Sequence, residues 1–286
     1  MNKLKIIATP IGNLGDISSR AISSISSADV ILAEDTRSAR KLISFLGINL
    51  KSQSRIISCH AQIEEQRAHV VEECLKANEQ VVLLSDAGCP VISDPGSLLV
   101  QAVVKAGFEV EVIPGPSAQS AAIMGAGIDT TRFAFLGFLP KKNSQRKKLF
   151  QSTAACGLAL VIYESPLRVK NLLDDLFEAL GPRRVVVARE LTKVFETFHR
   201  GVLGQELKPS LVEKGECVVI VEAQDVERSV SNDEKESVVE LIKKRSEQAF
   251  RTKDIVKELV DNFNIKKNQA YDMVIEYQSS KKEPLS

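Results

Sequence analysis

Five short runs rich in β-branched residues punctuate the first part of the chain: LKIIA (4–8), DVILA (29–33), RIIS (55–58), VVLLS (81–85) and EVEVI (109–113). Between them lie DISSRAISSISSA, TRSARKLISFLG, IEEQRAHVVEECLKAN and GSLLVQAVVKAG, whose apolar residues recur every third or fourth position. Buried strands alternating with amphipathic helices leave few solutions. The pattern predicts βα units wound into a mostly parallel sheet covered on both faces. The serine-rich stretch 18–27 fits the same scheme, because Ile17, Ala21, Ile22 and Ile25 give it one apolar face.

The texture changes at VIPGPSAQSAAIMGAGI (112–128), where a strand ends in Pro-Gly-Pro and a small-residue helix follows. A second α/β segment is expected beyond it, with strands over 132–138, 157–163, 184–190 and 216–222. SPLRVKNLLDDLFEALG is its clearest helix, with Gly181-Pro182 just past the end. EAQDVERSVSNDEKESVVE reads as a polar linker, and RTKDIVKELVDNFNIKKNQAYDMVIEY as two short helices with Lys266 and Lys267 at the turn between them. The expected organisation is an N-terminal α/β domain (1–115), a C-terminal α/β domain (116–224), and a linker with a small helical extension (225–286).

Charge is nearly balanced, 38 Lys plus Arg against 37 Asp plus Glu, so any basic surface must be local. PKKNSQRKK (140–148) is such a place. Lys141, Lys142, Arg146, Lys147 and Lys148, read as a loop after the strand FAFLGFL, are candidates for salt-sensitive contact with RNA phosphates. Aromatic residues are few and Trp is absent, which points away from stacking on unpaired bases and toward recognition of shape. The five Cys form no C-x-x-C pair and share no ligand spacing with the three His, so reduced, mostly buried thiols and no metal site are expected. MNKLKIIATPIG lacks the apolar stretch of a signal peptide, and no run of roughly 18 apolar residues occurs. No membrane span and a cytoplasmic location are expected.

In α/β sheets, ligands sit beyond the carboxyl ends of the strands. Polar, Gly/Pro-rich segments fall at six such ends: TPIGNLGD (9–16), EDTRSAR (34–40), SDAGCPVISDPG (85–96), PGPSA (114–118), YESPLR (163–168) and RELTKVFET (189–197). GNLG does not match G-x-G-x-x-G, and neither a phosphate-binding G-x-x-x-x-G-K-[ST] loop nor a G-x-S-x-G nucleophile elbow is present. In the third segment Gly88 and Gly96 permit close approach and positive φ, while Pro90 and Pro95 stiffen the path between them. Asp86 and Asp94 can accept hydrogen bonds from a ribose or an ammonium, or merely cap turns.

TPIGNLGDI, AEDTR, SDAGCPVISDPG, PGPSA, GFLPKK, IYESPLRV and ARELTKVFET occur in this order. Together they resemble the tetrapyrrole methylase superfamily, and within it the branch known as ribosomal RNA small subunit methyltransferase I. The resemblance spans roughly residues 3 to 222, and the tail is similar to the branch's helical extension. It implies two α/β domains with a cleft for S-adenosylmethionine between them, homodimers, and 2′-O-methylation of a cytidine ribose in the decoding region of small-subunit rRNA, free or in the assembled subunit.

Residue by residue, the resemblance places Pro10 against the cofactor and Ala87, Gly88, Cys89 and Ile92 along its methionine and adenosyl portions. Ser117 and Ala118 match a small pair beneath it, and Glu164 and Leu191 match positions whose backbone holds the adenine. Ser85, Asp86 and Tyr163 complete the expected cofactor set. The chain departs from the branch at Cys89, where Thr is usual, and at Gln62, Ile63 and Glu64, which follow His60 and Ala61 in place of a His-Asn-Glu run.

Methyl transfer to a ribose hydroxyl calls for orientation and a proton acceptor. Glu34, Asp35, Glu164, Glu190 and Glu196 are candidates for that acceptor, and Arg37 or Lys193 for stabilising the alkoxide or clamping a phosphate. Two alternatives stand beside this reading. One is a methylase of the same superfamily acting on a tetrapyrrole precursor or protein side chain. The other is a ribosome-assembly factor without catalysis.

Overall fold

The structure is a computed structural model that describes residues 3–205, 215–223, 232–248, 250–263 and 267–280. The chain divides into two compact units, Met1–Gln224 and Asp225–Ser286.

The first unit opens with β1 (Lys3–Ile7), α1 (Ser19–Ser26), β2 (Val30–Ala33), α2 (Thr36–Phe45), β3 (Arg55–Ser58), α3 (Glu64–Lys76), β4 (Val81–Leu84), α4 (Ser97–Lys105) and β5 (Glu109–Ile113). These strands form one sheet in the order β3-β2-β4-β1-β5, parallel throughout. β2 and β4 are buried along their whole length, as strands covered on both faces must be. One face packs Leu4, Leu32, Leu83 and Leu99 with α3 and α4, and the other packs Ile7, Ile25, Ile31 and Ile43 with α1 and α2. Local chemistry sets the helix starts. The Ser18 hydroxyl accepts from the Ala21 amide (3.1 Å) and the Asp35 carboxylate from the Arg37 amide (2.7 Å). Gly96 offers α4 no side-chain cap, and buried Glu64 supplies one from α3 by accepting the Leu99 amide at 3.0 Å. Glu64, one of the residues at which the sequence departs from the branch it resembles, is thus part of the scaffold.

A second sheet follows α5 (Ala118–Ala126). Its elements are β6 (Phe133–Phe138), α6 (Asn143–Ala154), β7 (Ala159–Glu164), α7 (Pro166–Leu180), β8 (Arg184–Arg189), β9 (Thr197–Val202) and β10 (Cys217–Val221), in the order β6-β7-β10-β8-β9. Only β6 and β7 run parallel; β10 is antiparallel to β7 and β8, and β8 to β9. The sequence pattern did not reveal β9. TFHRGV lacks an apolar run because it is an edge strand with only His199 buried. The basic run expected as a loop is helical from Asn143 onward, so Arg146, Lys147 and Lys148 stand on α6. α5 packs Ala122 and Ala126 on Val161, Val186 and Ile220, and Gly125 lets the Phe198 ring of β9 lie directly on the helix. A Cβ at Gly125 would overlap that ring. Gly125→Ala is therefore expected to lower the unfolding free energy by about 2 kcal/mol, read from the urea midpoint at constant slope.

The second unit has its own core, in which Val238, Ile242, Ile255, Leu259 and Val274 come together. Its described residues form three helices, α8 (Asn232–Glu247), α9 (Thr252–Phe263) and α10 (Lys267–Ser280). Residues 232–240, expected within the linker, belong to α8. Lys266 lies outside the described residues, and Lys267 begins α10. No helix among the described residues is long and apolar enough to cross a membrane.

Candidate active site

The carboxyl ends of β4, β7 and β8 and the loops after β1 and β5 meet around a cavity of about 390 Å3. That volume falls in the roughly 300–1,000 Å3 range of small-molecule sites. Two loops of the first sheet form its floor. Thr9 and Gly88 make an isolated antiparallel bridge, with Thr9 N–H donating to Gly88 O (2.8 Å) and Gly88 N–H to Thr9 O (3.0 Å). Gly88 sits at φ +79°, where a side chain is strained, and its Cβ would lie 3.3 Å from the Ile11 side chain. The Cys89 thiol donates to Pro116 O at 3.5 Å and ties this floor to the loop after β5.

Two strained turns supply opposite walls. Five non-glycine residues among those described have left-handed backbone; Val91 and Ser93 flank Ile92, and Glu190 and Thr192 flank Leu191. Ile92 and Leu191 both line the cavity, one from each sheet. Such a conformation costs about 1–3 kcal/mol per residue and persists only when its surroundings enforce it. Around Leu191 the enforcement is visible. The Glu190 carboxylate accepts from the Glu216 amide (3.0 Å) and Lys193 Nζ (2.9 Å), and the Glu196 carboxylate accepts from the Thr192 amide (2.7 Å). Around Ile92, the second sheet presses close. Gly137, at the β6 bulge, leaves room for Ser93 Oγ where its own Cβ would stand, and Phe138 just beyond reaches the cavity.

The cavity is acidic. Asp86, Asp94, Glu164 and Glu216 line it, with no Lys, Arg or His among the described lining residues. Glu164 is paired with Arg168 (2.6 Å), and Glu216 shares Lys193 (3.1 Å) with Glu190. Asp86 and Asp94 have no such partner among the described residues. Burial, reinforced by Glu34 and Asp86, pushes the Asp94 carboxyl up to about 6. Burial also raises Asp86, and burial together with Asp86 raises Glu34. For Lys193, burial opposes the charge, but hydrogen bonds to Glu190 and Glu216 outweigh it and raise the pKa. A nucleotide phosphate is disfavoured in such a field; an apolar ligand carrying positive charge is favoured. Among the described residues, no group of three or more His, Cys, Asp or Glu side chains is placed to hold a metal ion.

Of the residues expected around a cofactor, Asp86, Ala87, Gly88, Cys89, Ile92, Ser117, Ala118, Tyr163, Glu164 and Leu191 line this cavity. Pro10 and Ser85 lie behind it, and the Ser85 hydroxyl is engaged with Gly88 O at 3.0 Å. Among the candidate catalytic residues, Glu164 is in the wall. Glu34 and Asp35 stand at the end of β2, where the Asp35 amide donates to Asp86 Oδ1 (3.3 Å); Arg37 is exposed on α2. Lys193 folds its stem over Gly12 and braces Glu190 and Glu216. Glu190 and Glu196 hold the Leu191 turn. Within the basic run, Arg146 is bound to buried Asp175 and Lys147 to Glu178, while Lys141, Lys142 and Lys148 are exposed. Sequence reasoning missed Gly215, Glu216, Cys217 and Val218 because it looked to strand carboxyl ends. β10 runs antiparallel, so its amino end sits beside the carboxyl ends of β7 and β8.

A parallel sheet and a mixed sheet meeting at such a cleft are the architecture of the tetrapyrrole methylase class. The family model described as Tetrapyrrole (Corrin/Porphyrin) Methylases matches residues 3–206. Solved structures share the fold: diphthine synthase superposes with a TM-score of 0.61 at 15% identity, covering 77% of this chain and 90% of that one. The methyltransferase CobJ gives 0.59 at 20% identity, covering 78% and 95%.

Three relatives carry the name Ribosomal RNA small subunit methyltransferase I. That of Halalkalibacterium halodurans is 37% identical over 94% of this chain and 93% of its own length. That of Xylella fastidiosa is 42% identical over 77% and 81%. That of Thermotoga maritima is 37% identical over 79% of this chain and 100% of its own length. The chain belongs to the tetrapyrrole methylase family and, within it, to the ribosomal RNA small subunit methyltransferase I group.

Proposed function

We propose that this protein transfers a methyl group from S-adenosylmethionine to the 2′-hydroxyl of a cytidine in the decoding region of small-subunit rRNA. The observation that carries the chemistry is the acidic cavity without a cationic side chain. Its carboxylates complement a sulfonium and an ammonium, and Ile11, Ile92, Leu191 and Val218 offer apolar walls to an adenosyl group. The backbone at Ala87 and Gly88 allows close approach to such a ligand. The relatives' shared name supports rRNA as the acceptor.

When bound, S-adenosylmethionine supplies an electrophilic methyl group. The chain's contribution is orientation and removal of a proton. Asp94 is the base we assign. It lines the cavity and, with a pKa of about 6, is ionised at neutral pH yet more basic than an ordinary carboxylate. Asp94 would take the hydroxyl proton as the methyl group passes from the donor sulfur to the ribose oxygen. Gln119 N–H donates to the Tyr163 hydroxyl (3.1 Å), and the Tyr163 ring stands edge-on to Phe135 and Phe138 in the wall.

The test is transfer of labelled methyl to rRNA and to assembled small subunits, with 2′-O-methyl mapping and calorimetric titration of the donor. One modified cytidine ribose in the decoding region is expected. Methylation confined to a base, a tetrapyrrole or a protein would overturn the reading. Absence of donor binding would leave the non-catalytic assembly factor in its place.

A further inference from the structure

A second cavity, of about 330 Å3, lies on the other side of Glu164, the one described lining residue that it shares with the first. Its charge is opposite. Lys141, Arg146 and Arg168 line it, with Asn171 beside them and Glu164 as the single carboxylate. The three cations are not equivalent. Arg146 donates through Nε and Nη2 to Asp175 and through Nη1 to Pro140 O (3.3 Å) and Lys141 O (2.8 Å). Four of its five N–H groups are thereby committed to holding the segment before α6 against α7. Arg168 places Nε (2.8 Å) and Nη2 (2.6 Å) on Glu164 Oε1, which leaves both hydrogens of Nη1 available. Lys141 is exposed and makes no ion pair with the described residues.

We propose that this second cavity is a phosphate subsite for the acceptor RNA, with Lys141 and Arg168 as its ligands and Arg146 as the residue that positions Lys141. The proposal rests on the RNA-methylating reading of the first cavity. A nucleotide that presents its ribose hydroxyl to the acidic cavity must keep its own phosphates out of it, because the unneutralised Asp86 and Asp94 repel them. Hydroxyl and phosphate are separated by one ribose ring, so the anion has to be received immediately next door. The Glu164–Arg168 pair is the partition: the buried carboxylate faces both cavities, and the exposed guanidinium turns the far side positive. Phosphate contacts of this kind fix register while the neighbouring cavity does the chemistry.

The experiment compares Lys141→Ala, Arg168→Lys and, as a charge control outside the cavity, Lys148→Ala. Lys141→Ala is expected to raise KM for rRNA about tenfold, the worth of one charge-assisted contact, with kcat and calorimetric donor affinity unchanged. The salt dependence of RNA binding should lose about one unit of slope. Arg168→Lys keeps the charge on Glu164 but lacks the free fork, and should also raise KM without changing donor affinity. Inorganic phosphate titrated into 15N-labelled wild-type protein should shift the amides of 141–146 and of Ser165, Leu167 and Arg168, and do so weakly in Lys141→Ala. Unchanged KM and salt slope in Lys141→Ala, or an equal effect in Lys148→Ala, overturns the subsite. If wild-type protein methylates no RNA, the enzyme reading fails instead, and filter binding of RNA with the phosphate titration still decides the subsite.

Discussion

Gly88→Val is expected to eliminate measurable S-adenosylmethionine binding, a loss of about 100-fold or more. Valine at φ +79° carries a left-handed cost of roughly 1–2 kcal/mol, and its Cβ starts 3.3 Å from the Ile11 side chain before the two methyl groups are added. Overpacking there adds about 1–3 kcal/mol. The loop can relieve both only by leaving the left-handed region, which breaks the paired hydrogen bonds between Gly88 and Thr9. The floor of the cavity goes with them. Calorimetric titration measures the loss, and a thermal melt shows that the two sheets persist. A folded Gly88→Val protein with wild-type donor affinity would place the cofactor elsewhere.

Asp94→Asn is expected to lower kcat by about 100-fold or more, with a much smaller rise in the KM for the donor, because Asp86 keeps its charge beside the cation. Wild-type kcat/KM should rise with pH and level off above about 6, as Asp94 loses its proton; the variant should lack that limb. Glu34, Asp86, Cys89 and Tyr163 are the titratable groups coupled to this carboxyl, and the two acids set the direction of its shift together with burial. Stability must move the opposite way. Because the folded-state pKa is raised from the ordinary 3.8, the native protein is favoured while Asp94 is protonated and loses that advantage as pH rises through about 6. Asp94→Asn should therefore melt a few degrees (about 3 °C) above wild type at pH 8, with the difference vanishing near pH 4. A variant that keeps kcat but loses donor affinity would reassign Asp94 to the ligand's ammonium. Such a gain in stability with a loss of rate marks a group held at a functional site against its own preference.

How far the chain could be read without coordinates depended on what each feature needs. The central strands β2 and β4 were legible because both faces of a parallel sheet are covered, so each is a short apolar run. β9 was not, since an edge strand needs no such run. The loops SDAGCPVISDPG and RELTK could be picked out as ligand-bearing by their composition and by resemblance to a family. Nothing local revealed that Ile92 and Leu191 would oppose each other, each between two left-handed residues. The roles of charged residues were the least visible. Arg146 and Lys147 look like their neighbours in PKKNSQRKK, yet they are tied to Asp175 and Glu178, some thirty positions away.

Periodicity, turn residues and helix caps are local quantities, carried by a few neighbouring side chains, and they were enough for the α/β alternation and for the strand ends where a ligand belongs. The sign of a cavity's charge is a sum over residues distant along the chain. That the site is acidic on one side of Glu164 and basic on the other, and that the amino end of β10 completes it, followed only once antiparallel pairing and side-chain packing had brought those residues within a few ångströms of one another.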